Sequence, residues 1–183
     1  MEVVRSLKNV KLIKYLFIVL IGSVLLAISS KIKIPFYPVP MTMQTFVVLF
    51  IGIAFGWKLG VATVSLYLFE GLMGLPVFSG TPEKGLGVVY FTGPTMGYLI
   101  GFIITVYLAG KFNYDSSLVR TFFKLTFATS FIYILGLIWL GSLIGWDKPI
   151  FQLGAQPFLL AELFKMLILA IIAGSFNKIK KFI

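Results

Sequence analysis

The sequence predicts an all-α integral membrane protein with six transmembrane helices, and three observations lead to that fold class. Of the 183 residues, 59% are hydrophobic and 12% are charged, whereas soluble domains average about 45–50% apolar and about 25% charged residues. The mean hydropathy is +1.02, and so much apolar surface cannot be buried in a core of this size. Six apolar stretches approach the length of about 20 residues that a membrane span requires.

The six predicted spans form a single membrane domain over residues 1–183. They cover residues 12–29, 41–57, 59–75, 95–111, 122–144 and 157–176. The second and third spans are nearly continuous, and the segment GWKLG between them predicts a tight turn at the membrane interface. No small-residue cleavage site follows the first span, which therefore indicates a retained helix and not a signal peptide.

The basic residues predict the orientation of these spans. Six spans place both termini on one side, and a cytoplasmic N-terminus puts eleven basic residues inside and four outside, which agrees with the positive-inside rule. The inner set is Arg5, Lys8, Lys11, Lys14, Lys58, Lys111, Arg120, Lys124, Lys178, Lys180 and Lys181. The outer set is Lys31, Lys33, Lys84 and Lys148. The net charge of +10 is therefore explained by the membrane topology and by attraction to anionic lipid headgroups. We expect no nucleic acid as a partner.

Two segments on the predicted outer side differ from ordinary loops. The first, KIKIPFYPVPMTMQ, contains three prolines within residues 35–40, and we expect it to be stiff and extended. The second, LPVFSGTPEKGLGVVYFTGPT, is rich in glycine but also carries Phe78, Tyr90 and Phe91. We expect this second segment to fold over the outer mouth of the bundle as a lid; the alternative is a surface loop with incidental aromatic residues.

The sequence contains neither cysteine nor histidine. Disulfides, thiol nucleophiles, zinc sites of the Cys/His type, haem ligation and Ser-His-Asp triads are therefore excluded. Since no acidic residue has an obvious water-activating partner, we expect no enzyme, no metal and no bound cofactor.

The best candidate for a functional group is a pair of charged residues within the last span. Glu162 and Lys165 are three positions apart, so they share one helix face. Each ionisable group at membrane depth costs about 2.5–3.5 kcal/mol on insertion scales. They would lie about 7–8 Å and about 12 Å below Pro157, in the outer half of the membrane. The alternative is that they only neutralise each other.

Two further polar residues lie near the same predicted depth. Gln44, near the outer start of the second span, offers both a donor and an acceptor. Glu70, near the outer end of the third span, either joins the same cluster or reaches the interface. A few polar groups walled by aromatic side chains are typical of a small-molecule site.

The first span contains Ser23 and Ala27, two small residues four positions apart. Such a pair allows another helix to approach closely. That helix could belong to the same chain or to a partner. No internal repeat of spans is evident, which argues mildly against a self-sufficient secondary transporter.

Three segments together resemble the BioY family, the biotin-specific substrate-capture subunits (S components) of energy-coupling factor (ECF) transporters. These segments are PVPMTMQTFVVLFIGIAFGWKLG, LYLFEGLMGLPVFSG and GLGVVYFTGPTMGYLIGF. Pro157, Phe158, Glu162 and Lys165 extend the resemblance into the last span. The chain departs from the family pattern at Glu162, where Asp is common, and at Glu70, where an apolar residue is usual.

The resemblance implies six helices with cytoplasmic ends in the plasma membrane of a prokaryote, and biotin captured from outside. It also implies a transmembrane scaffold partner (the T component), which Ser23 and Ala27 would contact, and two ATPase subunits. The sequence has no ATP-binding motif, so ATP would be used only by those partners.

For the biotin site, we hypothesise that Glu162 accepts from the ureido N–H groups, and that Lys165 donates to the ureido oxygen or stays paired with Glu162. Lys84 would reach the carboxylate tail. The complete set of predicted substrate-binding residues is Glu162, Lys165, Gln44, Phe36, Tyr37, Phe78, Lys84, Tyr90 and Tyr98. Two other functions stay open: an S component for another vitamin, and a stand-alone ion-coupled transporter with Glu162 as its proton carrier.

Overall fold

A computed structural model describes the backbone of residues 2–114 and 117–176, with side chains from residue 11 onward. The structure is mostly helical. Its helices are α1 (Glu2–Lys31), α2 (Gln44–Leu72), α3 (Val88–Phe91), α4 (Met96–Lys111), α5 (Leu118–Ile144), α6 (Ile150–Gly154) and α7 (Leu159–Ile172). Two short strands, β1 (Lys33–Ile34) and β2 (Met41–Thr42), lie between α1 and α2. Two 3-10 turns, Gln156–Phe158 and Ala173–Phe176, flank α7.

Helix α2 folds back on itself at Gly56, where the backbone leaves helical geometry with φ 76° and ψ 172°. A Cβ added at Gly60 would lie only 3.6 Å from the Cα of Gly52, and Gln44 is hydrogen-bonded to Tyr67. Residues so far apart in sequence meet only if the halves 44–55 and 57–72 run antiparallel. Within residues 2–114 and 117–176 the long helices are therefore six: α1, the two halves of α2, α4, α5 and α7.

The turn between the two halves of α2 requires glycine. A positive φ of 76° is costly for any residue with a Cβ, and glycine adopts it without penalty. Helix α4 packs tightly against this turn, since a Cβ on Gly110 would lie 2.3 Å from the backbone nitrogen of Trp57. The predicted tight turn is confirmed: it lies at Gly56, the first residue of GWKLG and the next-to-last residue of the second predicted span.

In the part of the chain that the structure describes, four continuous elements are long and apolar enough to cross a membrane. They are Lys11–Lys31, Gln44–Leu72, Leu118–Ile144 and Ile150–Phe176, and the shorter Met96–Lys111 is apolar too. This pattern identifies a multi-pass membrane protein. The second predicted span, 41–57, extends past both ends of the first half of α2, residues 44–55. The third, 59–75, begins two residues and ends three residues later than the second half, residues 57–72.

The predicted proline-rich outer segment forms a small hairpin. Strands β1 and β2 pair antiparallel, with Lys33 opposite Thr42 and Ile34 opposite Met41. The proline-containing residues 35–40 connect the two strands, since proline cannot donate to a strand ladder. This pairing places the start of α2 beside the end of α1.

The second segment, residues 75–95, forms one unit with residues 73–74. This unit, the cap, is anchored to the bundle by an aromatic side chain. Phe78 is 1% exposed and stacks on Tyr90 of α3 with ring centroids 4.7 Å apart. Its ring also fills the space over Gly71, where an added Cβ would lie 2.0 Å from it. The cap therefore has a defined conformation and is no loose surface loop.

Two clusters of buried apolar side chains hold the helices together. The larger joins α1, α2, the cap, α4, α5 and the end of the α6–α7 connection, and the smaller joins the first half of α2 with α5 and α7. Of the basic residues used to predict orientation, the side chains of Arg5 and Lys8 and all of Lys178, Lys180 and Lys181 lie outside the described residues.

Candidate functional site

A cavity lies among α2, the cap, α4, α5 and α7. Its volume is about 50 Å³. Mostly apolar side chains surround a few polar ones, as is usual for a small-molecule site. The lining residues are Val39, Pro40, Met41, Thr42, Gln44, Thr45, Ser79, Tyr90, Thr95, Tyr98, Leu99, Phe102, Ile132, Tyr133, Phe158 and Glu162.

The predicted charged pair is present and buried beside this cavity. Lys165 Nζ lies 2.8 Å from Glu162 Oε1, and the two residues are 8% and 3% exposed. Lys165 also donates to the backbone oxygen of Thr42 at 2.6 Å and to Thr45 Oγ1 at 3.0 Å. A lysine has three donor protons, so Lys165 is fully occupied by the protein, which explains why a charge is tolerated at this depth.

Glu162, in contrast, is only half occupied. Its Oε1 accepts from Lys165 and from Thr45 Oγ1, the latter at 2.7 Å. Its Oε2 is buried and makes no hydrogen bond of standard geometry with the described residues. The Tyr133 hydroxyl nevertheless lies close enough to the carboxylate for a charge interaction and a weak hydrogen bond. Because Glu162 lines the cavity, it presents an anionic acceptor to whatever occupies that space.

The cap contributes a second unpaired polar atom. Ser79 is 3% exposed, and its Oγ makes no hydrogen bond within the described part of the chain. Ser79 lines the same cavity as Glu162. Buried polar groups are paired in the great majority of cases, and two unpaired ones in one cavity indicate a ligand site with polar specificity.

Gln44 lines the cavity and is held in place by its neighbours. Its Nε2 donates to Tyr67 Oη at 2.7 Å, and its Oε1 accepts from Thr42 Oγ1 at 3.2 Å. Tyr67 Oη in turn donates to the carbonyl of Val77 in the cap at 3.1 Å. These bonds fix the orientation of the Gln44 amide, and Tyr67 links this amide to the cap.

Aromatic rings form much of the remaining wall, with their hydroxyls turned to the backbone. Tyr90 donates to the carbonyl of Ser79, and Tyr98 donates to the carbonyl of Gly154, both at 2.8 Å. Burial raises the pKa of the Tyr90 phenol, so this hydroxyl stays protonated and remains a donor. Tyr133 and Phe158 pack together with ring centroids 6.4 Å apart.

The predicted substrate-binding residues fall into three groups. Gln44, Tyr90, Tyr98 and Glu162 line the cavity, and Lys165 lies behind Glu162. Two others support the wall from behind: Phe78 stacks on Tyr90, and Phe36 packs on Phe158 at 5.8 Å.

Tyr37 and Lys84, the other two predicted substrate-binding residues, lie outside the cavity. Tyr37 is 91% exposed, because the proline-rich connection between β1 and β2 directs it away from the bundle. Lys84 is exposed as well, with its side chain beside Gly80 in a turn of the cap. Neither residue lines the cavity.

The small-residue pair of α1 packs within the chain. Ser23 is fully buried, and its Oγ donates to Glu70 Oε1 at 3.0 Å. Ala27 packs against the larger apolar cluster. The predicted contact with a partner is therefore not supported for either residue, because α2 occupies that face of α1. Glu70 of α2 is therefore hydrogen-bonded to α1 and does not line the cavity.

Sequence reasoning missed several lining residues, notably Thr45, Ser79, Tyr133 and Phe158. Thr45 directly follows Gln44 at the predicted depth, and hydroxyl residues within an apolar span are a usable signal. Ser79 gave no such signal, because its position depends on how the cap folds. Tyr133 lies in the middle of a long apolar helix, where an aromatic residue more often faces lipid or core.

The sequence profile of the BioY family matches residues 4–182 of the chain. A probable biotin transporter BioY from Pyrococcus horikoshii is 34% identical over 153 residues, which are 81% of this chain and 87% of that protein. The biotin transporter BioY of Thermotoga maritima is 32% identical over 161 residues, which are 87% of this chain and 94% of that protein.

A solved structure supports the same relationship at the level of the fold. The 2.1 Å crystal structure of the S-component for biotin from an ECF-type ABC transporter superposes with a TM-score of 0.77. The match covers 93% of this chain and 94% of that one, at 25% sequence identity. The arrangement of six helices is therefore that of an S component.

Proposed function

The chain belongs to the BioY family, and we propose that it is the S component that captures biotin for uptake through an ATP-driven ECF complex. It is a transporter subunit and not an enzyme. The single observation that carries the assignment of the site is the buried and unpaired Glu162 Oε2 on the cavity wall. A ligand with N–H donors supplies what this oxygen lacks.

The chemistry of biotin matches the polar groups of the cavity. Its ureido N–H groups are donors for Glu162 Oε2, and a charge-assisted hydrogen bond in a dry site is about twice as strong as a neutral one. Since Lys165 already donates to three protein oxygens, we propose that it stays paired and tunes Glu162 without touching the ligand. Ser79 Oγ and the amide of Gln44 are available to the remaining polar atoms of biotin, and the rings of Tyr90 and Tyr98 to its apolar body.

The size of the cavity implies that binding is accompanied by movement. Ligand pockets occupy about 300–1,000 Å³, whereas this cavity measures about 50 Å³. The cap supplies Ser79, Tyr90 and Thr95 to the wall. Like the hairpin segment that supplies Val39, Pro40, Met41 and Thr42, it lies outside the long helices. We therefore propose that the cap is the outer lid, and that biotin reaches Glu162 when this lid is displaced.

The proposed orientation has both termini in the cytoplasm and the cap outside. Lys58 and Lys111 lie at the end of the bundle where Gly110 packs on Trp57, opposite to the cap, which agrees with the positive-inside rule. The plasma membrane of a prokaryote is the proposed location. A transmembrane scaffold and two ATPases are the proposed partners, and biotin is the only bound small molecule proposed for this chain.

Calorimetric titration of the detergent-purified chain tests which vitamin it binds. We expect saturable binding of biotin and none of thiamin or riboflavin under the same conditions. Binding of another vitamin in place of biotin would overturn the substrate assignment and leave the S-component fold intact.

Uptake into vesicles tests the mode of energisation. Vesicles that contain the chain with a scaffold and two ATPases should accumulate biotin only with internal ATP. Accumulation without the ATPases that collapses on addition of a protonophore would instead support an ion-coupled transporter.

A further inference from the structure

The last residue of α1 is hydrogen-bonded to the cap through its side chain. Lys31 Nζ donates to the carbonyl of Phe78 at 2.8 Å, to the carbonyl of Thr81 at 3.3 Å and to Thr81 Oγ1 at 3.0 Å. Thr81 Oγ1 also donates to the carbonyl of Phe78 at 2.7 Å, which closes a small network. All three donor protons of one ammonium group therefore engage a four-residue stretch of the cap.

This stretch places an unpaired polar atom in the cavity. Ser79 lies between the two residues that Lys31 holds, and its unpaired Oγ lines the cavity. Phe78, whose carbonyl accepts from Lys31, stacks on Tyr90, which lines the cavity as well. Any movement that withdraws Ser79 from the cavity must therefore break or stretch the bonds to Lys31.

A second connection joins α1 to the same region. Ser30 Oγ donates to the carbonyl of Val77 at 2.7 Å, and Tyr67 Oη donates to that same carbonyl at 3.1 Å. Tyr67 Oη accepts from Gln44, which lines the cavity. The end of α1, the start of the cap and the polar wall of the site thus meet at one carbonyl oxygen.

From these contacts we infer that Lys31 is a positioning residue for biotin capture: it latches the cap to α1 over the occupied site, and the cap opens when these three hydrogen bonds break. The inference rests on the proposed function, since it assumes that biotin occupies the cavity. Lys31 itself does not line the cavity and acts through Ser79 and the ring pair of Phe78 and Tyr90.

The chain contains a matched control two residues further on. Lys33 carries the same charge at the same end of the bundle and is exposed. In the described part of the chain its side chain makes no hydrogen bond or ion pair, and its backbone pairs with Thr42 in the small hairpin. Replacement of Lys33 therefore removes an equal charge, which repels Lys31, but removes no hydrogen bond to the cap.

The first experiment measures the dissociation of radiolabelled biotin from the purified chain. A hydrogen bond to a charged group is worth about one factor of ten in an equilibrium constant. Lys31→Met should therefore release biotin about tenfold faster than the unmodified chain. Lys31→Arg should restore slow release, and Lys33→Met should leave the rate unchanged. Equal release rates for Lys31→Met, Lys33→Met and the unmodified chain would overturn the inference.

The second experiment needs no ligand, so it separates failure of the latch from failure of the proposed function. Because the chain contains no cysteine, Ser79→Cys introduces a single thiol on the cavity wall. A water-soluble maleimide should modify this thiol about tenfold faster when Lys31→Met is added, and at an unchanged rate when Lys33→Met is added. Equal labelling rates in all three backgrounds would refute the latch whether or not the chain binds biotin.

Discussion

Glu162 and Lys165 form a buried ion pair, 2.8 Å between Oε1 and Nζ, one turn apart on α7. Only Oε1 takes part; Oε2 makes no hydrogen bond of standard geometry with the described residues, and Glu162 lines the cavity. The pair therefore has two parts. The structural half is the ion pair between Oε1 and Lys165, and the recognition half is Oε2, which is left for a ligand. The predictions below separate these halves from each other and from the packing that supports them.

The recognition half is tested by Glu162→Gln. The amide retains the shape but replaces the anionic acceptor, and it leaves Lys165 without its counterion. We expect biotin affinity to fall at least tenfold by titration calorimetry. Glu70→Gln is the matched control, because Glu70 is bonded to Ser23 and lies away from the cavity. It should change affinity by less than about twofold, within the usual range of effects for substitutions away from a site. An unaltered affinity in Glu162→Gln would remove this residue from the site.

The structural half is tested by Lys165→Met. This substitution leaves a buried carboxylate without a cation, which typically costs about 3–5 kcal/mol. We expect a lower melting temperature and at least tenfold weaker biotin binding. The double variant that also carries Glu162→Gln should regain much of the melting temperature but not the affinity. If the single and double variants melted at the same temperature, the ion pair would not be the source of the instability.

Ser79 provides a test of recognition without a structural cost. Its Oγ has no hydrogen-bond partner in the described chain, so Ser79→Ala removes no hydrogen bond within the protein. We expect biotin affinity to fall several-fold, since a neutral hydrogen bond contributes about 0.5–1.5 kcal/mol, while the melting temperature of the ligand-free chain stays constant. Thr121→Val is the control, because Thr121 Oγ1 is likewise buried and unpaired but is not on the cavity wall. Equal affinities in Ser79→Ala and Thr121→Val would exclude Ser79 from ligand contact.

The close approach of α4 to the turn of α2 is tested by Gly110→Ala. The added Cβ would lie 2.3 Å from the backbone nitrogen of Trp57, and backbone cannot yield as a flexible side chain does. We expect loss of stability on the scale of overpacked cores, about 1–3 kcal/mol, seen as a lower melting temperature and reduced yield. Gly174→Ala, where nothing lies within 4 Å, should melt like the unmodified chain. A normal melting temperature for Gly110→Ala would show that α4 has room to move away from the turn.

The class of the protein could be predicted from the sequence because it depends on local composition. Short stretches of the sequence are enough to recognise three features: the apolar stretches of membrane length, the charged pair in the last one and the glycine-containing turn in α2. The spacing of Glu162 and Lys165 likewise determines that they share a helix face. These features agree with the structure because each depends on residues that are close together in the sequence.

The membership of the site could be predicted only in part, since it depends on contacts between distant segments. Tyr37 and Lys84 have suitable side chains in suitable segments, but the turns that carry them direct both outward. Ser23 has the spacing of a helix-contact residue, but the sequence does not say which helix it contacts. In the structure it contacts α2 of the same chain, where it donates to Glu70.

By itself, then, the sequence determined a six-helix membrane protein with one buried pair of opposite charges, because hydropathy and helix period act locally along the chain. Only the tertiary structure decided which oxygen of Glu162 is left for a ligand, which residues of the cap join it, and that Lys31 holds the cap. The physical reason is that hydrogen-bond partners are assigned in three dimensions. Thr45 of α2 and Lys165 of α7 are far apart in the sequence, yet both bind Glu162 Oε1 and neither binds Oε2.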